Sequence, residues 1–407
     1  MIELVIYAVG ILLAFYMAWC LGANDASNPT ECAVGAGVIS MKRAIILFAI
    51  FVALGGILLG PFVMKTVDRG LIQRDDPSLS LERLAVGSFT AVLSAGIWVT
   101  FSTWRGMPVS TTHSTIGGIL GFGLIACSSL INWEKFNIVV ISLLLSPILS
   151  LLLASGLFYL FRAYFKKVRK EQSNLIVVHS LIYLLCFATS ISIFKEILMW
   201  DIVGVVLGSF LTALIISVIS VYAFRRVYGK FETGQSLSYL LIIALCFSAF
   251  AFGANDMANA TGVFVTPTQK LMGGPPALWI MLLLAAIGAA GIAIGGFTWG
   301  YRVINTAAYQ VTRLDPLSGA AAEYSNAITV FLFTVVPTFL IGFGMPISTT
   351  HSSIGSIIGV GLAMKGLTGI SKRTTGKIFA FWILTIPCVA LLSMVLFWLF
   401  SHVVVII

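Results

Sequence analysis

Runs of roughly 20 apolar residues recur along the whole chain, and that is the length a helix needs to cross the hydrocarbon of a bilayer. Of the 407 residues, 59% are hydrophobic and 10% are charged, whereas a soluble domain carries about 25% charged residues. The runs predict twelve segments, at 4–22, 43–64, 84–103, 110–128, 136–161, 176–194, 202–224, 237–253, 277–300, 326–343, 348–364 and 376–401. We therefore expect an all-α, polytopic membrane protein with about twelve transmembrane segments, some of which are broken or re-entrant.

The basic residues are distributed unevenly between the predicted loops. The most basic loop, RAYFKKVRKEQ, begins at Arg162, and a second, RRVYGK, begins at Arg225. Two segments separate these loops, so both lie on one side, which the positive-inside rule makes cytoplasmic. This orientation places 17 of the 24 lysines and arginines inside and both termini outside. The net charge of +9 is therefore explained by cytoplasmic loops of a multi-pass cell-membrane protein in the lipid bilayer, and no nucleic acid partner is expected.

The cysteines give no sign of a cofactor or a disulfide framework. Six are present, and none follows the CxxC spacing that is typical of metal or redox sites. We expect no cofactor.

Three sequence motifs occur twice, in the same order. The pairs are GANDASNPT at Gly22 with GANDMANAT at Gly253, GGILLGPFVMKT at Gly55 with GGFTWGYRVINT at Gly295, and GMPVSTTHSTIG at Gly106 with GMPISTTHSSIG at Gly344. Their separations are 231, 240 and 238 residues, so the chain is duplicated. Each half holds about five segments and two more lie between them, so the second half enters the membrane from the opposite face. The expected organisation is a first inverted repeat at 1–165, a basic loop with two connecting helices at 166–235, and a second inverted repeat at 236–407.

Inverted-topology repeats are common in secondary transporters, whose sites lie near the bilayer midplane on interrupted helices. Glycines and prolines in both halves supply candidate interruptions, at Gly22, Pro29, Gly106, Pro108, Gly253, Gly344 and Pro346.

The STTH segments have the composition of an oxyanion site. A proline disfavours helix in the residue before it, and the serine two positions later, Ser110 or Ser348, is a good N-cap. A helix that starts there directs free N–H groups and the positive end of its dipole at one point. Candidate anion-binding hydroxyls are those of Ser110, Thr111, Thr112, Ser348, Thr349 and Thr350. The alternative is that these hydroxyls only join helices to one another. His113 and His351 are expected to orient neighbouring groups rather than bind the ligand.

Acidic residues inside apolar segments indicate a cation site. Asp25 and Asp256 lie in the GAND motifs, and a carboxylate within a membrane is costly unless it has a function. Carboxylate and amide oxygens are hard ligands, so the candidate sodium ligands are Asn24, Asp25, Asn255 and Asp256. Asn28 and Asn259 follow one helical turn later and are placed to face the same cavity and the anion. The alternative role for the aspartates is capping of half-helices.

The two kinds of site complement each other electrostatically. Neither motif contains lysine or arginine, so an anion at the midplane requires bound cations for neutralisation. Each ligand then lowers the cost of binding the other, which is the thermodynamic basis of symport.

The paired GAND and PxSTTHS motifs, with GGxxxGxxVxxT between them, resemble the inorganic phosphate transporter (PiT) family over both halves of the chain. The resemblance implies phosphate symport driven by sodium or by protons, with a few sulfate-carrying relatives, and a homodimer. It also implies phosphate contacts at the STT hydroxyls and cation contacts at the GAND residues. Protonated phosphate, unlike sulfate, has a hydrogen to donate to these acids and amides.

The chain departs from the family pattern at two acidic positions. Phe51-Val52 stands where many members have a PheGlu pair, and no acid lies near Ser88, although Glu323 is retained in the second copy as a possible coupling acid. These absences favour sodium over protons. The prediction is a sodium-coupled importer of inorganic phosphate that works by alternating access. The alternatives are a proton-coupled phosphate or sulfate permease and, in another class, an ion channel. An enzyme is not expected, because no nucleophile, base and orienting residue occur together.

Overall fold

The computed structural model describes residues 2–404 apart from 69–70, 74–75, 77–78, 168–170, 230–231, 265–277 and 342–346. Within these residues the chain is almost entirely helical, and the isolated bridge between Ile72 and Ile131 is the only β-structure. The α-helices are α1 (Ile2–Asp25), α2 (Ser27–Gly35), α3 (Met41–Asp68), α4 (Leu81–Trp104), α5 (Thr111–Ala126), α6 (Trp133–Lys167), α7 (Glu171–Ser192), α8 (Ile202–Tyr228), α9 (Thr233–Thr261), α10 (Leu278–Tyr309), α11 (Pro316–Ile341), α12 (Thr349–Lys365) and α13 (Lys372–Val404). The all-α prediction is confirmed.

Helices lie over all twelve predicted membrane segments, but they are not equally long. Nine segments of the described chain are long and apolar enough to cross a membrane. α5 and α12 contain 16 and 17 residues, which corresponds to about 24–26 Å of helix, short of the roughly 30 Å of hydrocarbon. The segments predicted at 110–128 and 348–364 therefore fit re-entrant helices better than full spans.

The surface is apolar and the interior contains many polar residues, as expected of a protein whose solvent is lipid. The connecting helix α8 exposes large side chains such as Ile202, Leu207 and Ile215, and water would solvate such a surface poorly. In contrast, Asn24, Asp25 and Glu31 are fully buried. The polar groups that carry the sequence motifs therefore lie inside the helix bundle.

The helix contacts follow the sequence duplication. α1 packs against α10 as α9 packs against α3, and α5 packs against α13 as α12 packs against α6. The duplicated glycines make equivalent contacts, because a Cβ at Gly22 would collide with the carbonyl oxygen of Ile292, and one at Gly253 with that of Val52. Helices from the two sequence halves are thus paired with each other in two matching sets.

The predicted interruptions at Gly22 and Gly253 are wrong. Both glycines lie inside continuous helices, α1 and α9, where they permit close helix packing. The break in the first half occurs at Ala26, because Pro29 has no N–H to donate to the carbonyl of Asp25. The second half has Ala260 in place of Pro29, and α9 continues to Thr261. Unwound carbonyls beside the two glycines are therefore not available as cation ligands.

The predicted interruption at Gly106 is confirmed. α4 ends at Trp104, Gly106 has a φ of 69°, and the chain is non-helical from Met107 until α5 begins. Glycine adopts this left-handed conformation without the steric cost of a side chain. The equivalent residues of the second half, Gly344 and Pro346, lie outside the described residues.

Candidate functional site

Asn24 holds the linker that leads from α4 into α5. Its Nδ2 donates to Thr103 Oγ1 at 2.8 Å and to the Met107 carbonyl at 3.1 Å. Its Oδ1 accepts from the Val109 N–H at 3.0 Å. The Asn24 side chain is completely buried, so it fixes the extended chain in front of α5. Its carbonyl oxygen keeps a second lone pair for another donor or a cation.

Ser110 and Ser348 cap the N-termini of α5 and α12. Ser110 Oγ accepts from the His113 N–H at 3.1 Å, and Ser348 Oγ accepts from the His351 N–H at 3.0 Å. Both serines have extended backbone conformations, as N-cap residues do. The predicted caps are confirmed. The remaining N–H groups of the first turns, with the positive ends of both helix dipoles, are left for an anion or a carboxylate.

Asp25 lies where these two helix N-termini meet. Thr111 Oγ1, from the first half, donates to Asp25 Oδ2 at 2.7 Å, and Thr350 Oγ1, from the second half, donates to Asp25 Oδ1 at 3.3 Å. The carboxylate is fully buried at the end of α1. One acid of the first GAND motif thus contacts both STTH motifs, although 239 residues separate Thr111 from Thr350.

The two asparagines of the GAND motifs cross between the halves. Asn28 Nδ2 donates to Thr350 Oγ1 at 3.0 Å and to Thr349 Oγ1 at 3.2 Å. In the mirrored arrangement, Asn259 Nδ2 donates to Thr112 Oγ1 at 3.2 Å. Each half therefore donates a hydrogen bond from an asparagine amide to threonine hydroxyls of the other half.

Asp256 completes the constellation from α9. Its Oδ1 accepts from Asn259 Nδ2 at 3.0 Å. The Asp256 side chain is 4% exposed, and its Oδ2 has no hydrogen-bond partner among the described residues. Asp25 and Asp256 are close enough to interact electrostatically. Asn255 lies within α9, but its side chain is outside the described part of the structure.

Among the described residues, no basic side chain pairs with the buried acids of this site. The hydrogen-bond partners of Asp25 and Asp256 are hydroxyls and an amide. Burying an ionised carboxylate without compensation is strongly unfavourable. A hard monovalent cation is a suitable counter-charge for this set of carboxylate, amide and hydroxyl oxygens. Within the described chain, no three His, Cys, Asp or Glu side chains gather in a group that could hold a metal ion.

The two motif histidines stack on each other behind the hydroxyls. The ring centroids of His113 and His351 are 4.4 Å apart, and Trp382 stacks on His351 at 3.8 Å. Trp382 Nε1 in turn donates to the Pro108 carbonyl at 3.0 Å. The stack joins the starts of α5 and α12 to each other and to α13.

Sequence reasoning missed several residues that the fold brings to the site. Ser353 Oγ donates to Glu31 Oε1, and it also donates to the backbone carbonyl of Asn28 at 3.2 Å. Ser353 lies within the quoted second STTH motif, so its hydroxyl was available as a signal. Thr103, which accepts from Asn24, lies outside every repeated motif and could not be identified from the sequence.

The possible coupling acid Glu323 lies in α11, where its Oε1 accepts from Ser248 at 2.5 Å.

The fold brings together eleven of the thirteen predicted site side chains. Of the other two, Asn255 has a side chain outside the described part of the structure, and Glu323 lies apart from the rest. Two helix N-termini, six hydroxyls and two amides offer donors, while two carboxylates lie directly beside them. Most of these groups are buried, with Thr349 partly exposed. The arrangement is suited to holding an oxyanion and a cation together at a buried position between the two halves.

Comparison with known proteins agrees with this chemistry. Residues 21–393 match the model of the phosphate transporter family. The chain is 34% identical over 412 residues to a protein named as a phosphate permease of Pyrococcus horikoshii, covering 95% of this chain and 96% of that one. It is 31% identical over 418 residues to a protein of Haemophilus influenzae that is also named as a phosphate permease, covering 95% of this chain and 94% of that one. Its structure is similar to one described as the sodium-dependent phosphate transporter, with a TM-score of 0.87 and 29% identity over 98% of this chain and 99% of that chain.

Proposed function

Because the chain belongs to the phosphate transporter family, we propose that it is a symporter that imports inorganic phosphate with sodium by alternating access. The family consists of transporters and not of enzymes, so the protein is a transporter. The coupling ion, the site residues and the mechanism are the proposal.

The observation that carries the proposal is the meeting of the two STTH helix N-termini at Asp25. Phosphate is proposed to lie between these N-termini and to accept from their free N–H groups. The hydroxyls of Ser110, Thr111, Thr112, Ser348, Thr349 and Thr350 and the amides of Asn28 and Asn259 would add side-chain hydrogen bonds. Protonated phosphate also donates, and the nearby carboxylate oxygens accept.

Sodium is proposed to bind at Asn24, Asp25, Asn255 and Asp256. Its charge offsets both the buried carboxylates and the anion, which makes occupancy by phosphate and by sodium mutually favourable. The solved relative described as sodium-dependent supports this choice of ion. Asp256 Oδ2 has no hydrogen-bond partner among the described residues, which leaves this oxygen free to bind a cation.

The duplicated architecture supports the proposal of alternating access. The matched helix pairs, α1 with α10 and α9 with α3, are each drawn from both halves, and bundles related in this way can move against each other around a fixed site. We propose that the halves at 1–165 and 236–407 are inverted repeats joined by 166–235, in a multi-pass cell-membrane protein with both termini outside. A homodimer in the lipid bilayer is proposed on the family resemblance alone.

Two rival functions make different predictions. A proton-coupled permease for phosphate or sulfate would use the same oxyanion site with protons on the acids. An ion channel would conduct without saturating or showing counterflow. The gathering of donors and acids at one buried position favours a carrier over a channel.

Uptake of labelled phosphate into proteoliposomes, with sodium and proton gradients imposed separately, tests the proposal. We expect an inward sodium gradient to drive saturable accumulation, and trapped unlabelled phosphate to accelerate entry of label. Full uptake driven by a proton gradient alone would refute sodium coupling, and uptake of sulfate in preference to phosphate would refute the substrate.

A further inference from the structure

A second pair of buried acids lies next to the candidate site but makes its own contacts. Glu31, in α2, is 0% exposed, and Glu323, in α11, is 1% exposed. Helices α2 and α11 pack against each other, and the two carboxyl groups are close enough to interact electrostatically. Neither acid has a hydrogen bond to Asp25 or Asp256 among the described residues. The fold therefore assembles two separate acid pairs.

This second pair breaks the internal symmetry of the chain. The GAND motifs are 231 residues apart, so the counterpart of Glu31 in the second half is Gly262. The counterpart segment of Glu323 in the first half, around Ser88, has no acid. Each half thus contributes one acid that the other half lacks, and the fold brings these two unmatched acids to the same place.

Each carboxyl group of the pair has one oxygen satisfied and one left over. Glu31 Oε1 accepts from Ser353, and Glu323 Oε1 accepts from Ser248 at 2.5 Å. Both Oε2 atoms are buried without a hydrogen-bond partner among the described residues. Since two like charges in a dry interior are mutually unfavourable, the pair requires at least one positive charge. The other titratable groups that face it are Cys32 on α2 and Tyr324 on α11, and neither supplies one.

Hydrogen bonds link Glu31 to the candidate site through Asn28, whose backbone carbonyl contacts Ser353 and whose side-chain amide contacts Thr350. Ser353 donates to Glu31 and to the Asn28 carbonyl, and the Asn28 amide donates to Thr350, which donates to Asp25. Asn28 and Glu31 are three residues apart on α2, so they lie on the same side of that short helix. These contacts offer a route by which a change of charge at Glu31 reaches the hydroxyls that are proposed to hold phosphate.

We propose that Glu31 and Glu323 form a second site for one monovalent cation, a proton or a sodium ion, which is coupled through Ser353 and Asn28 to the site at Asp25. The ligands are the two free carboxylate oxygens, with the hydroxyls of Ser353 and Ser248 beside them. The transport measurements that test this inference rest on the proposed function.

The test compares Glu31→Gln and Glu323→Gln with the wild type and with Glu134→Gln, an exposed acid at the start of α6. Glutamine preserves the shape and the serine hydrogen bond but removes one negative charge. In proteoliposomes, the membrane potential at which net phosphate flux reverses gives the number of positive charges carried with each phosphate. We expect each site variant to carry one fewer charge, and Glu134→Gln to match the wild type.

The identity of the cation follows from two further curves. If the ion is sodium, the sodium dependence of uptake becomes less steep in both site variants. If the ion is a proton, the sodium curve is retained and the external pH dependence of uptake is lost. Site variants that transport with the wild-type charge count, sodium dependence and pH dependence would overturn the proposal.

A binding measurement keeps the proposal testable in variants that fold but do not transport. Radioactive sodium bound at equilibrium, and protons taken up or released as pH is changed, are counted on the purified full-length protein. We expect the wild type to bind one more sodium ion or titratable proton than either variant, and equal counts would overturn the second site. Failure of wild-type protein to move phosphate would refute the proposed function, while the binding counts would still decide this inference.

Discussion

Replacing the two capping serines by alanine separates a role in phosphate binding from a role in helix stability. Ser110 and Ser348 are 2% and 1% exposed. Each accepts one backbone hydrogen bond, at 3.1 and 3.0 Å, and neither hydroxyl donates a hydrogen bond within the described residues. The acceptor side of each serine therefore serves the helix, and its hydrogen is free for the substrate.

The two roles of each serine have different expected energies. Loss of a helix cap costs about 1 kcal/mol of stability, but the cost applies with and without phosphate and so cancels from the affinity. The hydrogen bond from a serine hydroxyl to a charged phosphate oxygen is worth about 1.5–3 kcal/mol. Since about 1.4 kcal/mol corresponds to a factor of ten, we expect Ser110→Ala or Ser348→Ala to raise the KM for phosphate about tenfold or more. The sodium dependence should change less.

The assay is sodium-driven uptake of labelled phosphate into proteoliposomes over a range of phosphate concentrations. Ser80→Ala is the matched control, because Ser80 caps α4 by accepting from the Arg83 N–H at 3.3 Å, away from the candidate site. We expect its KM to equal that of the wild type. The reasoning is refuted if both site variants retain the wild-type KM, or if Ser80→Ala raises KM to the same extent.

Three further predictions follow from the same structure. Asp25→Asn and Asp256→Asn each remove a buried charge, so the sodium concentration for half-maximal uptake should rise about tenfold or more, and an unchanged sodium curve would contradict the cation assignment. Asn24→Ala leaves two buried backbone groups unpaired, at about 1–3 kcal/mol each, and should lower the thermal unfolding temperature of the purified protein. An unchanged temperature would show that Asn24 does not hold the linker. Gly22→Ala should reduce the yield of folded protein in size-exclusion chromatography, whereas Gly376→Ala, with open space around its Cβ position, should not, and equal yields would refute the packing role of Gly22.

Much of the candidate site could be predicted from the sequence because its determinants are local. Gly106 with the proline after it predicts a helix break, and the serine that follows predicts an N-cap, since both effects involve neighbours along the chain. The duplication then predicts that two such helix starts exist. Their meeting at Asp25 fits the expectation for inverted repeats.

Other features depend on tertiary contacts that no local pattern contains. Gly22 was expected to interrupt α1, but it permits close packing against Ile292, a contact that exists only once α1 and α10 are paired. The meeting of Glu31 with Glu323 likewise depends on how α2 packs against α11. Pro29 did break the first helix, but at the carbonyl of Asp25, four residues earlier, since that is the acceptor that a proline nitrogen cannot serve.

A structure of the full-length protein with phosphate and sodium bound tests the central claim most directly. The account predicts phosphate density between the first turns of α5 and α12, within hydrogen-bond distance of Ser110 and Ser348, with a cation on Asp25 or Asp256. Phosphate bound elsewhere in the bundle, or bound between these helices with no cation on either aspartate, would contradict it.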